Sequence, residues 1–253
     1  MNESYDQKFF EWVNFTARRS AQHLIPVLLD HLRPKSVLDV GCGQGTWLAA
    51  WRELGVADVI GVDGNYVARN ALSIPAERFI AHDLSQSWRL DRRFGLVQSL
   101  EVAEHLRPAS SACFVESLCA HGNVILFSAA QPGQGGEGHV NERKLSWWAG
   151  EFAARGYAAF DFLRPQIAHD RSIDPWYRYN TVVFANSDGE RELSPTARSS
   201  RVDDFPSLDR AGNLSWKVRR ALLRPWPPAV VTLLSRLRYR LVMMLVNARN
   251  SQP

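Results

Sequence analysis

Three glycines at alternate positions, Gly41, Gly43 and Gly45, follow directly on the apolar run Val37-Leu-Asp-Val40 and lead into a helix-compatible stretch from Thr46. No other part of the chain restricts the fold as much. A strand-length run of apolar and β-branched residues suits a strand buried on both faces, the situation of a parallel sheet covered by helices. Glycines at its end let the backbone turn sharply and approach a ligand with no Cβ between them. The pattern sets a small-cofactor site at the C-terminal end of a parallel strand.

The rest of the chain continues the alternation. The spacing of apolar residues predicts helices over 8–32, 46–54, 65–72, 109–121 and 143–155. Strands are expected over 37–40, 58–63, 79–83, 94–99 and 123–128, with closing strands over 160–163 and 179–185. Regular strand–helix alternation with short joints implies a doubly wound, Rossmann-like α/β sheet. Residues 187–213 are polar, rich in Gly, Ser, Pro, Asp and Arg, and lack periodicity, so they read as a linker. The expected organisation is a domain over 1–186, a linker over 187–213 and a basic helical tail over 214–253.

The net charge of +4 conceals an asymmetry. Residues 198–253 carry 11 Lys and Arg against 3 Asp, whereas residues 1–197 carry 19 basic against 23 acidic side chains. In the tail, Val230, Leu234, Leu237, Leu241 and Leu245 recur at helical spacing around Arg236, Arg238 and Arg240. That segment is too charged to span a bilayer, which takes about 20 apolar residues. It suits packing on the body of the protein or on a second subunit, docking on a protein partner, or peripheral attachment at an anionic inner-membrane surface. The acidic body and the lack of an RNA-binding module argue against nucleic acid. Three scattered cysteines form no disulfide framework, and residues 1–7 have neither the basic nor the apolar region of a secretory signal. A cytoplasmic protein is the expectation.

An acid at the end of the second strand, Asp63, could accept hydrogen bonds from ribose hydroxyls of either a nicotinamide dinucleotide or S-adenosylmethionine. The glycines separate the two. A dinucleotide site wants G-x-G-x-x-G with a pyrophosphate on the helix N-terminus; here the spacing is G-x-G-x-G, and Thr46 stands where the last glycine would be. Asp39 would repel phosphates and favour a cationic amino-acid group instead.

At this point the chain resembles the class I S-adenosylmethionine-dependent methyltransferases. The resemblance covers roughly residues 5–186. It rests on Val37-Leu-Asp-Val-Gly-Cys-Gly-Gln-Gly45, Val62-Asp63, His82-Asp83-Leu84, Ser99-Leu-Glu-Val-Ala-Glu-His-Leu106 and Val124-Ile-Leu-Phe-Ser128. It implies a seven-stranded sheet with an antiparallel last strand, S-adenosylmethionine as cofactor and S-adenosylhomocysteine as product. By the same resemblance, Asp39, Gly41, Gly43 and Gln44 form the cofactor loop and Asp63 and Gly64 meet the ribose. Asp83 and Leu84 would flank the adenine, and Glu101 would lie beside the methionine end. Tyr5, Phe9, Phe10 and Trp12 would form a lid.

Methyl transfer from a sulfonium needs alignment and exclusion of water, and a hydroxyl acceptor also needs a base. Two stretches offer one. In Glu101-Val-Ala-Glu-His105, Glu104 and His105 are candidates to orient the acceptor or take its proton. In the glycine-rich loop Gln131-Pro-Gly-Gln-Gly-Gly-Glu-Gly-His-Val-Asn-Glu142, His139 is the first candidate for general base and Asn141 for acceptor positioning. This loop resembles a Gly-His-(Val/Ile)-Asn segment in a branch of the family that acts on bacterial glycans and small metabolites, and is expected to be a mobile flap. Alternatively, His105, His139 and Asn141 hold local structure. Trp176 and Tyr177 could stack on a sugar ring or pack at the rim. No compact metal-ligand set is apparent along the sequence, and no metal is expected.

The function this supports is S-adenosylmethionine-dependent O-methylation of a sugar, glycan or small metabolite. N- or C-methylation of a metabolite is the second enzymatic reading. A methyltransferase-like scaffold whose tail recruits a partner is the third, and the intact Asp39, Asp63 and glycines weigh against it.

Overall fold

The structure is a computed structural model; it describes residues 3–227 with 230, 231, 233 and 234, and side chains from residue 14 onward. The chain opens with helix α1 (Glu3–Leu29) and continues through β1 (Ser36–Val40), α2 (Thr46–Glu53), β2 (Asp58–Asp63), β3 (Phe79–Ala81) and β4 (Leu96–Leu100). Next come α3 (Ser111–His121), β5 (Val124–Ser128), α4 (Leu145–Ala153), β6 (Ala158–Phe160), α5 (Leu163–Ile167), α6 (Pro175–Asn180) and β7 (Val182–Ala185). The described part ends with α7 (Ser187–Glu192), α8 (Pro195–Arg198), β8 (Arg201–Val202) and α9 (Leu214–Leu223).

One eight-stranded sheet runs in the order β3-β2-β1-β4-β5-β7-β6-β8. Strands β1 to β5 pair in parallel, while β7 pairs antiparallel with β5 and with β6. The apolar strands have two buried faces. Successive side chains of a strand point to opposite sides, so Val37, Val124, Leu126 and Val183 enter the layer beneath α1 and α2 with Leu24, Leu48 and Trp51. Leu38, Val40, Ile125, Phe127 and Val182 enter the opposite layer with Phe114, Leu118, Trp148 and Phe152 of α3 and α4. Each such side chain contributes about 1.5–3 kcal/mol by leaving water. Both layers meet at β1, which lies between β2 and β4. That is where the strand order reverses and where ligands bind in open α/β sheets.

Several expectations shift. The helix over 65–72 is only a 3-10 turn at Arg69–Ala71. Strand 160–163 lies earlier, over Ala158–Phe160, because Leu163 starts α5. The last strand, expected from Tyr179, starts only at Val182. Pro175 begins a short helix before it, its fixed φ suiting a first helical turn.

The segment 187–213 is no linker. Asn186 caps α7 by accepting from the N–H groups of Asp188 and Gly189, and the Ser194 hydroxyl caps α8. Strand β8 then adds to β6, and Leu193, Ala197 and Leu208 are buried. Asp209 accepts from the Ser146 N–H (2.9 Å) and hydroxyl (2.8 Å), capping α4 from across the fold. Few apolar residues suffice because polar ones hold the helix ends. Helix α9 continues this packing, burying Trp216 against Tyr179.

Leu237, Leu241, Leu245 and the arginines at 236, 238 and 240 lie outside the described residues, as do the side chains of Tyr5, Phe9, Phe10 and Trp12. Among the described residues no helix is long and apolar enough to cross a membrane.

Candidate active site

The loop after β1 turns at Gly41 and Gly43, with φ of +84° and +53°. Gly41 has no alternative: besides its left-handed backbone, a Cβ there would stand 2.3 Å from Val102 Cγ2. At Gly43 a Cβ would meet no heavy atom within 4 Å. Its backbone is bare toward a cavity of about 840 Å³ at the C-terminal ends of β1, β2 and β4. The walls include Gly41, Gly43, Asp63, Gly64, Asp83, Leu84 and Glu101, all anticipated from the sequence, and His105.

Asp63, at the end of β2, is the hub of this end. Its Oδ2 accepts from the Gly43 N–H (2.6 Å) and its Oδ1 from the Gly64 N–H (2.6 Å) and the Tyr66 hydroxyl. Asp83 makes a local bond, accepting from the Ser85 N–H at 2.9 Å, and the Ser85 bonds hold its carboxyl below the usual range. Asp39 and Gln44 are absent from the walls. Asp39 is buried within β1, where burial pushes its carboxyl up to about 7, the Gln98 amide opposes this and the charge of Asp63 adds to it. The Gln44 side chain accepts from Asn14 Nδ2 at 2.6 Å, tying the glycine loop to α1.

The other end is built on the turn after β4. Glu101 has φ +57°, the one positive φ of a non-glycine among the described residues. Its N–H donates to the Ser128 carbonyl (3.0 Å) and hydroxyl (3.1 Å), and its carboxylate accepts from Gln134 Nε2 (2.6 Å) and Asn180 Nδ2 (3.2 Å). Such backbone strain persists only when its surroundings over-determine it, and it is characteristic of functional sites. Burial raises the Glu101 carboxyl, and the bonds from Gln134, Asn180 and Ser128 oppose the rise.

Glu104, His105 and His139 come together although the sequence separates them. One donor atom from each lies within 4.8 Å of the others. The two imidazoles meet edge to face at 4.9 Å. Burial is the main force lowering His105 to about 4, with His139 adding to it, so its ring is neutral near pH 7. Glu104 is fully buried, and its carboxyl oxygens make no well-formed hydrogen bond, with only the backbone N–H groups of Glu104 and Ala130 near enough to favour a charge there. Burial above all, then the charge of Glu101, raises its carboxyl well above the usual range.

Glu142, not anticipated as a site residue, organises the loop. Its Oε1 lies 2.9 Å from His139 Nδ1, and its two oxygens accept from the N–H groups of Gly133 and Gly135, each at 2.8 Å. Burial pushes this carboxyl up, but the His139 and glycine bonds outweigh it and hold it below the ordinary value. The flap is also tied at its far end, where the Val140 and Asn141 N–H groups donate to the Glu104 carbonyl at 2.9 and 3.0 Å.

Three acceptor-side expectations fail. Asn141 is buried, with Nδ2 donating to the Ala103 carbonyl and the Ser111 hydroxyl and Oδ1 accepting from Arg143. It holds the loop and has no group left for an acceptor. Tyr177 is buried edge-on against Trp47 at 5.0 Å, and Trp176 packs on the same core layer, so neither faces the cavity.

The cavity fits S-adenosylmethionine. Its volume lies in the usual range for a cofactor site, and Asp63 supplies a carboxylate for ribose hydroxyls. The bare Gly43 backbone lets a ligand approach where any side chain would intrude.

A family model described as a methyltransferase domain matches residues 13–164. Among solved structures, the sugar N-methyltransferase KedS8 from Streptoalloteichus sp. shares 18% identity at a TM-score of 0.53, covering 74% of this chain and 94% of its own. The methyltransferase domain of bacterial CtHen1 shares 18% identity at a TM-score of 0.51, covering 66% and 97%. Of Streptomyces venezuelae DesVI and the glycopeptide N-methyltransferase MtfA, the chain spans 62% and 54% of the length. No curated protein matches the sequence. The chain belongs to the methyltransferase-domain family, with the fold of the class I S-adenosylmethionine-dependent methyltransferases.

Proposed function

We propose that this member of the family is an S-adenosylmethionine-dependent O-methyltransferase acting on a sugar, glycan-type or other small hydroxylated acceptor. One observation carries the reading: a single cavity joins a ribose-type carboxylate, Asp63, to a proton-handling cluster, Glu104–His105–His139, that adjoins it through His105. Bound S-adenosylmethionine would supply a methyl group already activated by the sulfonium. Asp63 holds the ribose once the Tyr66 hydroxyl yields its place, Leu84 and Asp83 flank the adenine, and Glu101 lies toward the methionine end. The histidine cluster removes the acceptor's proton. His139, the expected base, is its oriented member, because Glu142 fixes which ring nitrogen faces inward.

A hydroxyl is the acceptor that needs such a cluster, since a neutral amine already offers its lone pair. A sugar is the acceptor class named for KedS8, whose fold is shared. The cofactor assignment is tested by calorimetric titration with S-adenosylhomocysteine, where the wild type should bind and Asp63→Ala should bind at least tenfold more weakly. Transfer of labelled methyl from the donor to a panel of sugars, with hydroxyl- and amine-bearing members, tests the acceptor class. Labelling confined to amines would refute the O-methyl assignment.

A further inference from the structure

We propose that Glu104, His105 and His139 form a binding site for one divalent transition-metal ion beside the cofactor cavity. A carboxylate oxygen and two imidazole nitrogens within 4.8 Å of one another are close to a ligand set already. Three ligand atoms about 2.0–2.2 Å from a common ion stand roughly 3.3–3.8 Å from one another, so side-chain rotations that close the cluster by about 1 Å would complete it.

The independent observation is Glu104. A fully buried carboxyl whose oxygens have no well-formed hydrogen bond, and only the backbone N–H groups of Glu104 and Ala130 nearby, is a rare and unfavourable arrangement. A cation at the cluster would satisfy it. His139 is prepared in the same sense. Glu142 lies against Nδ1, leaving Nε2 for the ion, as carboxylate partners commonly orient ligating histidines. The backbone of Gly136 lies against this edge of the ring, and only glycine fits there, since a Cβ would stand 2.1 Å from Nε2.

Two imidazoles and one carboxylate favour Mn²⁺, Fe²⁺, Co²⁺ or Zn²⁺ over the all-oxygen ions Mg²⁺ and Ca²⁺. With the ion bound the two imidazoles are ligands and no longer the base; three protein ligands leave positions open and His105 lines the cavity, so an acceptor hydroxyl could take one and release its proton to water more easily. This catalytic use rests on the function proposed above; the binding itself does not.

The test uses the full chain, stripped of metal with a chelator and titrated with Co²⁺ and then Zn²⁺, while ligand-field absorption reports the coordination. S-adenosylhomocysteine affinity is measured in parallel. The expected result is one Co²⁺ per chain, displaced by Zn²⁺, with affinity at least tenfold lower in both Glu104→Gln and His139→Ala. Those variants should keep the wild-type circular dichroism spectrum and bind S-adenosylhomocysteine within about threefold of wild type. Absence of Co²⁺ binding, or binding that neither substitution weakens, would overturn the site even if S-adenosylhomocysteine binds. Metal binding without S-adenosylhomocysteine binding would uphold the site and refute the methyltransferase reading.

Discussion

The Tyr66 hydroxyl donates to Oδ1 of Asp63, the oxygen that also accepts from the Gly64 N–H. Asp63, the acid proposed to receive ribose hydroxyls, thus already has an internal donor that a ligand would displace. Tyr66→Phe removes that competitor and is expected to tighten S-adenosylhomocysteine binding about threefold, the worth of one modest hydrogen bond. Calorimetry decides it, and weaker binding by the variant would make Tyr66 a ligand contact instead.

Gly41 and Gly43 should fail in different ways. Gly41→Ala forces a left-handed backbone and an overlap with Val102, and is expected to destabilise the fold by about 2–4 kcal/mol. Gly43→Ala has room for its methyl in the folded chain and should lose only about 1 kcal/mol. That methyl projects toward the cavity, so binding of S-adenosylhomocysteine should drop at least tenfold. Urea unfolding and calorimetry on both variants separate the two effects.

Glu142→Gln keeps the side chain's size and one acceptor oxygen, but loses the bond to one loop glycine and withdraws the negative charge from His139. Methyl transfer should fall about 10- to 100-fold, as when an outer partner of a functional histidine is lost. S-adenosylhomocysteine affinity should stay within a factor of about two, because Glu142 is not part of the cavity wall. An equal loss in both would make the residue a structural support of the cavity.

Asp39 makes stability depend on pH. Its folded pKa of about 7 exceeds the ordinary 3.8, so the native state keeps a proton that the unfolded chain has released between those values. Its stabilising effect is full below about pH 4 and is lost as pH rises toward 7. At about 1.4 kcal/mol per unit the change is on the order of 4 kcal/mol. Asp39→Asn has no such proton to lose. Relative to this variant, the wild type should lose stability between pH 5 and pH 8, read from urea midpoints, and parallel profiles would contradict the assignment.

Much of this arrangement is legible along the chain, and the rest is hidden for identifiable reasons. Val37–Val40 and Asp58–Asp63 declare themselves because strands buried on both faces are mostly apolar, with Asp39 the buried exception in β1, and the acid ending β2 sits where the topology puts a ligand. The turn Glu101–His105 is recognisable for the same reason. Glu142 is not, since its role arises only when the loop folds back and brings Gly133, Gly135 and His139 onto one carboxylate. Trp176 and Tyr177 mislead because aromatic residues suit strands, whereas Pro175 and burial against Trp47 set a helix. In 187–213, Asn186, Ser194 and Asp209 are the informative residues, and a polar composition disguises caps as a linker.

Helix α9 lies on the acceptor loop. Arg220 donates from Nε to the Pro132 carbonyl at 3.3 Å, and a Cβ at Gly133 would stand 2.2 Å from the Arg220 carbonyl oxygen. Residues 131–142 and 216–224 therefore form one packed unit: the loop cannot be exchanged for another without a matching surface on α9. Chimeras that graft the loop alone should misfold locally, while those that carry both segments inherit a working pair.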